Sequence, residues 1–402
     1  MLESWKEIKE RGASAVLIIS VLLTCHFSLQ AQKEIAAVPS LEERYQQALE
    51  LINAFQFDRA QKLLSTCYTE APENIAYLTK IAYCNFQLGR YRDAKIFYNK
   101  VLKLDSLNAT ALSSLGSIYE RESNYHTAKS YYETLIGIDS TNSYYFKRNG
   151  YMALRLGDAL GGIANFLKAH SLNEADIEVI DQLCNIYLSL EELDYTEQIL
   201  EKGLRLDGKN IKLLYNKARL AQKRQDHPTV VEAIESAMTL GDTSNYYQMM
   251  LGVAYLKVDS VDQAIRHLEM IVERDKATEH THHYLGLAYH QKEQMDLAIE
   301  HLQKAVKLGI SEKITTYHAD LARLFVEKND HKAAIEHYQA AYDYSGEEEY
   351  LFHVARHHDL YYKDKRMAMR YYEKYLRSND EEFREYSTQR VAQLKEIIHF
   401  QK

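Results

Sequence analysis

The sequence is poor in the residues that interrupt helices. Its 402 residues include only three prolines (Pro39, Pro72 and Pro228) and fifteen glycines. With abundant Ala, Leu, Glu, Lys and Tyr, this composition predicts nearly continuous helix. Basic excess is also absent. The net charge is −8, which gives no global attraction to nucleic acid or anionic lipid. No CxxC occurs, so neither a zinc ribbon nor a dithiol redox motif is present. There is no GxSxG, no P-loop, no GxGxxG after a strand and no HExxH. Acidic pairs such as Glu191-Glu192 and the run Glu347–Glu349 fall in turns, where carboxylates are solvated. No catalysis and no cofactor are expected.

The N-terminus stands apart. Residues 13–27 (ASAVLIISVLLTCHF) are mostly apolar, Lys6, Lys9 and Arg11 precede them, and LQA ends at Ala31. That layout predicts a secretory signal peptide over 1–31, cleaved after Ala31, and hence an exported, periplasmic or envelope protein. Two alternatives stay open: an uncleaved membrane anchor, although fifteen apolar residues are short for a bilayer, and lipidation at Cys25. Contact with a membrane is expected only if the segment is retained or lipidated. Three cysteines follow Ala31: Cys67, Cys84 and Cys184. They read as small buried hydrophobes, with a Cys67–Cys84 disulfide as the alternative.

Three ladders recur every 34 residues. Ala48, Ala82, Gly116, Gly150, Cys184, Ala218, Gly252 and Gly286 are all small. Ala60, Ala94, Ala128, Gly162, Thr196, Val230, Ala264 and Ala298 form the second. Leu64, Tyr98, Tyr132, Phe166, Leu200, Ile234, Leu268 and Leu302 form the third and are all large and apolar. Small residues let two helix backbones approach, and a large residue four positions on fills the space beside them. Twelve residues separate the first two ladders, with turn-prone pieces such as LGRY and KVDS between them. The spacing predicts antiparallel helical hairpins.

The pattern resembles the tetratricopeptide repeat (TPR) family. Leu115-Gly116 with Tyr119, Ala128 and Tyr132 carry the resemblance, as do Leu251-Gly252 with Tyr255, Ala264 and Leu268, and Leu285-Gly286 with Tyr289, Ala298 and Leu302. Pro72 stands at the family's terminal proline in the first repeat. The resemblance implies an all-α, right-handed superhelical solenoid of about ten hairpins: 41–74, 75–108, 109–142, 143–176, 177–210, 211–244, 245–278, 279–312, then 315–348 after a two-residue slip, and a degenerate 349–382. Phe383, Val391, Leu394 and Ile398 recur at helical spacing and predict a capping helix over 383–402. Residues 32–40 read as a short leader.

In the family, fixed positions of each first helix line a concave groove. Carried over, these are Tyr144, Lys147, Tyr151 and Arg155 in the fourth repeat, and Glu178 and Asp181 in the fifth. Lys212, Tyr215, Arg219 and Lys223 follow in the sixth, Tyr246 and Lys257 in the seventh, and His280, His283 and His290 in the eighth. Apart from Glu178 and Asp181, they form a basic, tyrosine-rich set suited to anchoring a partner. One TPR subclass clamps a C-terminal carboxylate. Lys147 and Lys212 stand where that pattern has lysines, but Tyr151, Gln182 and Asn216 depart from it, so no such clamp is expected.

The stretch EHTHHYLGLAYHQ (279–291) raises the question of a metal. His280 and His283 share a helix face, whereas His290 lies about 10 Å farther along. The positions matched on neighbouring first helices are Val253, Lys257, Thr316, Ala319 and Arg323, none a good ligand. The histidines therefore read as groove-lining imidazoles, with pH-sensitive partner binding as a corollary. The expected function is a non-catalytic scaffold that binds a peptide or partner domain. A glycan-binding protein and a structural envelope subunit are the alternatives.

Overall fold

The computed structural model describes residues 39–241, 244–309 and 312–400. The signal-peptide reading, its alternatives at Ala31 and Cys25, and most of the 32–40 leader lie outside the described residues. Those residues form helices and turns, with no strand among them. No described helix is long and apolar enough to cross a membrane.

The chain divides into two compact units, one up to Asn173 and one from Glu174 onward. The first holds four hairpins: α1 (Leu41–Asn53) with α2 (Phe57–Glu70), α3 (Ile75–Gln87) with α4 (Tyr91–Leu104), α5 (Ala109–Arg121) with α6 (Tyr125–Ile138), and α7 (Ser143–Arg155) with α8 (Ala159–Leu172). The second begins with α9 (Ile177–Ser189) and α10 (Leu193–Leu206), α11 (Ile211–Lys223) and α12 (His227–Thr239), and α13 (Asn245–Lys257) and α14 (Val261–Glu273). It continues with α15 (Glu279–Gln291) and α16 (Met295–Leu308), α17 (Ile314–Glu327) and α18 (His331–Ser345), and α19 (Glu349–Tyr361) and α20 (Arg366–Tyr375), then ends on α21 (Arg384–Phe400).

Two further ladders explain where the helices start and turn. Ser40, Asn74, Asn108, Asn142, Asp176 and Asn210 each precede a first helix, and each side chain accepts a backbone N–H of the first turn. Such caps are worth about 1 kcal/mol each. Within each of the first eight hairpins the connection passes through a left-handed residue at the same interval: Phe55, Gly89, Ser123, Gly157, Glu191, Gln225, Asp259 and Glu293. A single positive-φ residue reverses the chain in three or four residues.

The three sequence ladders meet inside each hairpin. A Cβ added to Gly286 would lie 2.7 Å from Leu302 Cγ, and one on Gly252 would lie 2.7 Å from Leu268 Cγ. The large residue of the second helix thus presses on the small residue of the first, sixteen positions earlier. Ala48, Ala60, Leu64, Ala218, Ile234, Ala264 and Leu268 are all fully buried. Full burial of each large side chain stabilises by roughly 1.5–3 kcal/mol.

The last apolar face is covered by α21. Val391 and Leu394 pack on Phe352, Ala355, Tyr372 and Tyr375, and Phe383 stacks on Phe352 at 4.0 Å. The Cys67–Cys84 disulfide weighed as an alternative does not form. Cys67, Cys84 and Cys184 are buried free thiols, and burial pushes the Cys84 thiol up to about 11.

Candidate partner-binding face

Neighbouring first helices of the second unit touch: α9 meets α11, α11 meets α13, and α15 meets α17. At one end, Asp181 on α9 is buried and accepts from Asn216 Nδ2 (2.8 Å) and Asn185 Nδ2 (3.2 Å). Arg219 on α11 donates to Asn185 Oδ1 and, at 3.2 Å, to Asn216 Oδ1. Lys223 pairs with Glu191 at 2.8 Å. Arg219 and Lys223 therefore tie α11 to the neighbouring hairpin before they face any partner.

Tyr215 is a correction. Its position was expected to line the groove, but only 7% of it is exposed. Its ring stacks on Tyr247 from α13 and packs with Leu214 and Ala237. The adjacent tyrosine is the one that reaches solvent: Tyr246 is 55% exposed and meets Tyr247 edge-on. Lys212 and Lys257 are exposed, and neither makes an ion pair among the described residues.

The histidines of α15 reach α17. His280 Nδ1 bonds the Tyr317 hydroxyl, His283 Nε2 bonds Asp320 Oδ2 at 2.7 Å, and His290 Nε2 bonds Glu327 Oε2 at 2.7 Å. Every partner lies 37 positions on. The sequence comparison had matched His280 to Thr316 and His283 to Ala319, one residue short. Adjacent first helices are staggered by one residue beyond the repeat, as Asp181–Asn216 (35 apart) already shows, and the α16–α17 loop adds two more. The dismissal of nearby acceptors is corrected accordingly: Asp320 faces His283 and also pairs with Arg323 at 3.1 Å. Among the described residues, no three His, Cys, Asp or Glu side chains converge on a point that could hold a metal.

In the first unit, α7 presents Tyr144, 42% exposed, with the Lys147 ammonium 6.0 Å from its ring centre. Arg155 is exposed, while Tyr151 is half-buried and meets Phe166 edge-on at 5.0 Å. Sequence reasoning missed Tyr317, Asp320 and Glu327 on the facing helix. Adding the one-residue stagger to the register would have found them.

The tetratricopeptide repeat pattern matches 75–106, 109–142 and 280–308, which are the hairpins α3–α4, α5–α6 and α15–α16. These three hairpins carry the tetratricopeptide repeat pattern. Among solved structures, it is similar to pilF of Pseudomonas aeruginosa, at 20% identity over 52% of this chain and 95% of that one, with a TM-score of 0.46. It is also similar to YrrB, described as a TPR protein with an unusual peptide-binding site, at 21% identity over 44% and 92%, with a TM-score of 0.39. The Cut9–Hcn1 hetero-tetramer of APC/C is 14% identical over 92% of this chain and 94% of that one, with a TM-score of 0.41. No curated protein matches the chain.

Proposed function

We propose that this TPR protein is a non-catalytic interaction scaffold that holds a peptide or a partner segment on the face built by its first helices. Repeats of this family generally mediate protein–protein interactions. One contrast carries the reading. Most polar groups on the face of the second unit are engaged with a neighbouring helix, whereas Tyr246 is 55% exposed, and Lys212 and Lys257 find no carboxylate among the described residues. An exposed tyrosine together with unpaired ammonium groups on the same set of first helices is a suitable anchor for a segment carrying carboxylates. In the first unit, Tyr144 and Arg155 are also exposed. Export through the N-terminal apolar segment belongs to the same reading, with the partner then met in the envelope.

The test is a photo-crosslinking amino acid placed at Tyr246 or, for comparison, at Tyr195, which is 57% exposed on the second helix α10. The expected outcome is a discrete adduct from position 246 that is lost on adding Lys212→Glu and Lys257→Glu. Adducts from position 195 alone, or adducts indifferent to the charge reversals, would move the binding surface off this face.

A further inference from the structure

Twelve of the seventeen histidines fall between His267 and His358, and six of these twelve pair with one another. His282 on α15 meets His301 on α16 with the Nδ1 atoms 3.0 Å apart. His318 on α17 meets His337 on α18 at 2.9 Å, and His331 on α18 meets His357 on α19 at 3.2 Å, again through Nδ1. One pair joins α15 to α16, and the other two join α17, α18 and α19. In each pair one member is buried: His282 is 7% exposed, His318 8% and His357 5%.

Such a contact constrains the protons. Two Nδ1 atoms share a hydrogen bond only when one carries a proton and the other offers a lone pair. A first added proton can settle on the donor ring's Nε2 and leave that bond intact. A second gives both Nδ1 atoms a proton, and two cationic donors then face each other across about 3 Å inside the protein.

The surroundings offer little relief. Glu300 and Glu269 lie near the His282–His301 pair, but Lys304 opposes them and Glu269 already accepts the Tyr289 hydroxyl. His318 and His337 are flanked by the Tyr344 and Phe325 rings, and among the described residues no charged group besides the partner imidazole shifts either of them. His331 and His357 face His353 and Arg356, with Tyr338 stacked on His357 and Glu349 engaged with His353.

The preceding hairpin supplies an internal control. At the positions 34 residues before His282 and His301 stand Gln248 and His267, joined by Gln248 Oε1 to His267 Nδ1 at 2.8 Å. An amide oxygen accepts from an imidazole in either charge state.

We propose that the three histidine pairs make α15–α19 an acid-released segment, held closed while the pairs are neutral and loosened when they are protonated. Burial, then the partner imidazole, holds His301, His318 and His357 down at about 4. An unfolded histidine titrates near 6.5. The sign follows. These groups favour the folded form fully above 6.5, and that contribution is lost as the pH falls from 6.5 towards 4. Between pH 7.5 and 5, each pair raises the local opening equilibrium by about tenfold to thirtyfold. The inference stands apart from the binding reading, because these imidazoles are not the ones on the exposed face.

Backbone hydrogen exchange on the full chain, corrected for the intrinsic pH dependence, tests it. Peptides from 279–361 are expected to lose protection between pH 7.5 and 5 by at least tenfold. Peptides from 177–223, which contain no histidine, are expected to keep it. The triple variant His282→Gln, His318→Gln, His357→Gln gives every pair an amide opposite its remaining imidazole, as in Gln248–His267, and should lose at least tenfold less protection at pH 5 than wild type. Equal losses in wild type and variant, or no loss in wild type, would overturn the proposal. If the variant does not fold, imidazole C2–H exchange on the unmodified protein decides: apparent pKa values below 5.5 at His301, His318 and His357 support the device, and ordinary values at all three refute it.

Discussion

The clamp on the terminal helix gives the sharpest stability test. Asp359 on α19 is 7% exposed, yet it is a carboxylate. Arg390 from α21 grips it twice, Nε to Oδ2 at 2.6 Å and Nη2 to Oδ1 at 3.1 Å. Lys365 stands 3.5 Å from Oδ1 and donates to the Asp359 carbonyl. The two ends of the clamp differ in burial: the Arg390 side chain is 28% exposed, against 7% for Asp359. Arg390→Ala leaves the buried carboxylate with Lys365 alone, 3.5 Å away, which should cost about 3 kcal/mol. Asp359→Ala strands a guanidinium that can turn towards water, which should cost about 1–2 kcal/mol. The double variant should cost less than the sum of the two, because the stranded charge is gone. Urea unfolding gives the totals, and hydrogen exchange over 384–399 shows whether α21 lifts first. Equal costs, the reverse order, or unchanged exchange in α21 would refute the claim that this pair fastens the cap.

Two glycines in helices should respond in opposite ways to alanine. Gly286→Ala places a Cβ 2.7 Å from Leu302 Cγ and 3.2 Å from the Ala298 carbonyl oxygen. Overpacking should outweigh the helix-propensity gain for a net loss of about 1 kcal/mol. Gly137→Ala meets nothing within 4 Å and should gain about 0.5–1 kcal/mol. Thermal melts of the two variants check the sign of each. Tyr215→Ala removes a buried, stacked ring and should cost about 3 kcal/mol, whereas Tyr246→Ala should stay within about 0.5 kcal/mol. Urea midpoints separate them, and a binding defect in the Tyr215 variant alone would report unfolding.

The helical hairpins were legible because their determinants are local and periodic. A small residue, a second small residue twelve positions on and a large one four beyond suffice to dock two helices, and eight copies leave little room for another period. The cap ladder from Ser40 to Asn210 was equally readable and went unread. Side-chain direction on the first helices was harder. Tyr215 and Tyr246 stand at successive recurrences of neighbouring face positions, and the preference of Tyr215 for the ring of Tyr247 decides which of them is buried. Nothing in the spacing of α11 announces that stack. The histidine contacts were missed for a geometric reason: a one-residue stagger between adjacent first helices turns Ala319 into Asp320. The buried pairs had a visible signal, with His282 and His301 recurring at His318 and His337 along four successive helices.

The distribution of partners over the face argues about where a ligand would sit. Along α15 and α17, His280, His283 and His290 each already hold an acceptor on the next helix. A ligand contacting those imidazoles must displace Tyr317, Asp320 or Glu327, and breaking each such bond costs on the order of 1 kcal/mol or more. Arg219 and Lys223 carry the same penalty through Asn185 and Glu191. Lys212, Tyr246 and Lys257 carry none, so a ligand gains most per contact between α11 and α13. The basic character read across this face in the sequence is therefore not evenly usable. Charge reversal at Lys212 or Lys257 should weaken binding more than the same change at Lys223, whose ammonium is held by Glu191 in the free protein. Equal losses at all three positions would show that Lys223 leaves Glu191 on binding and that the free-state pairing does not set the site.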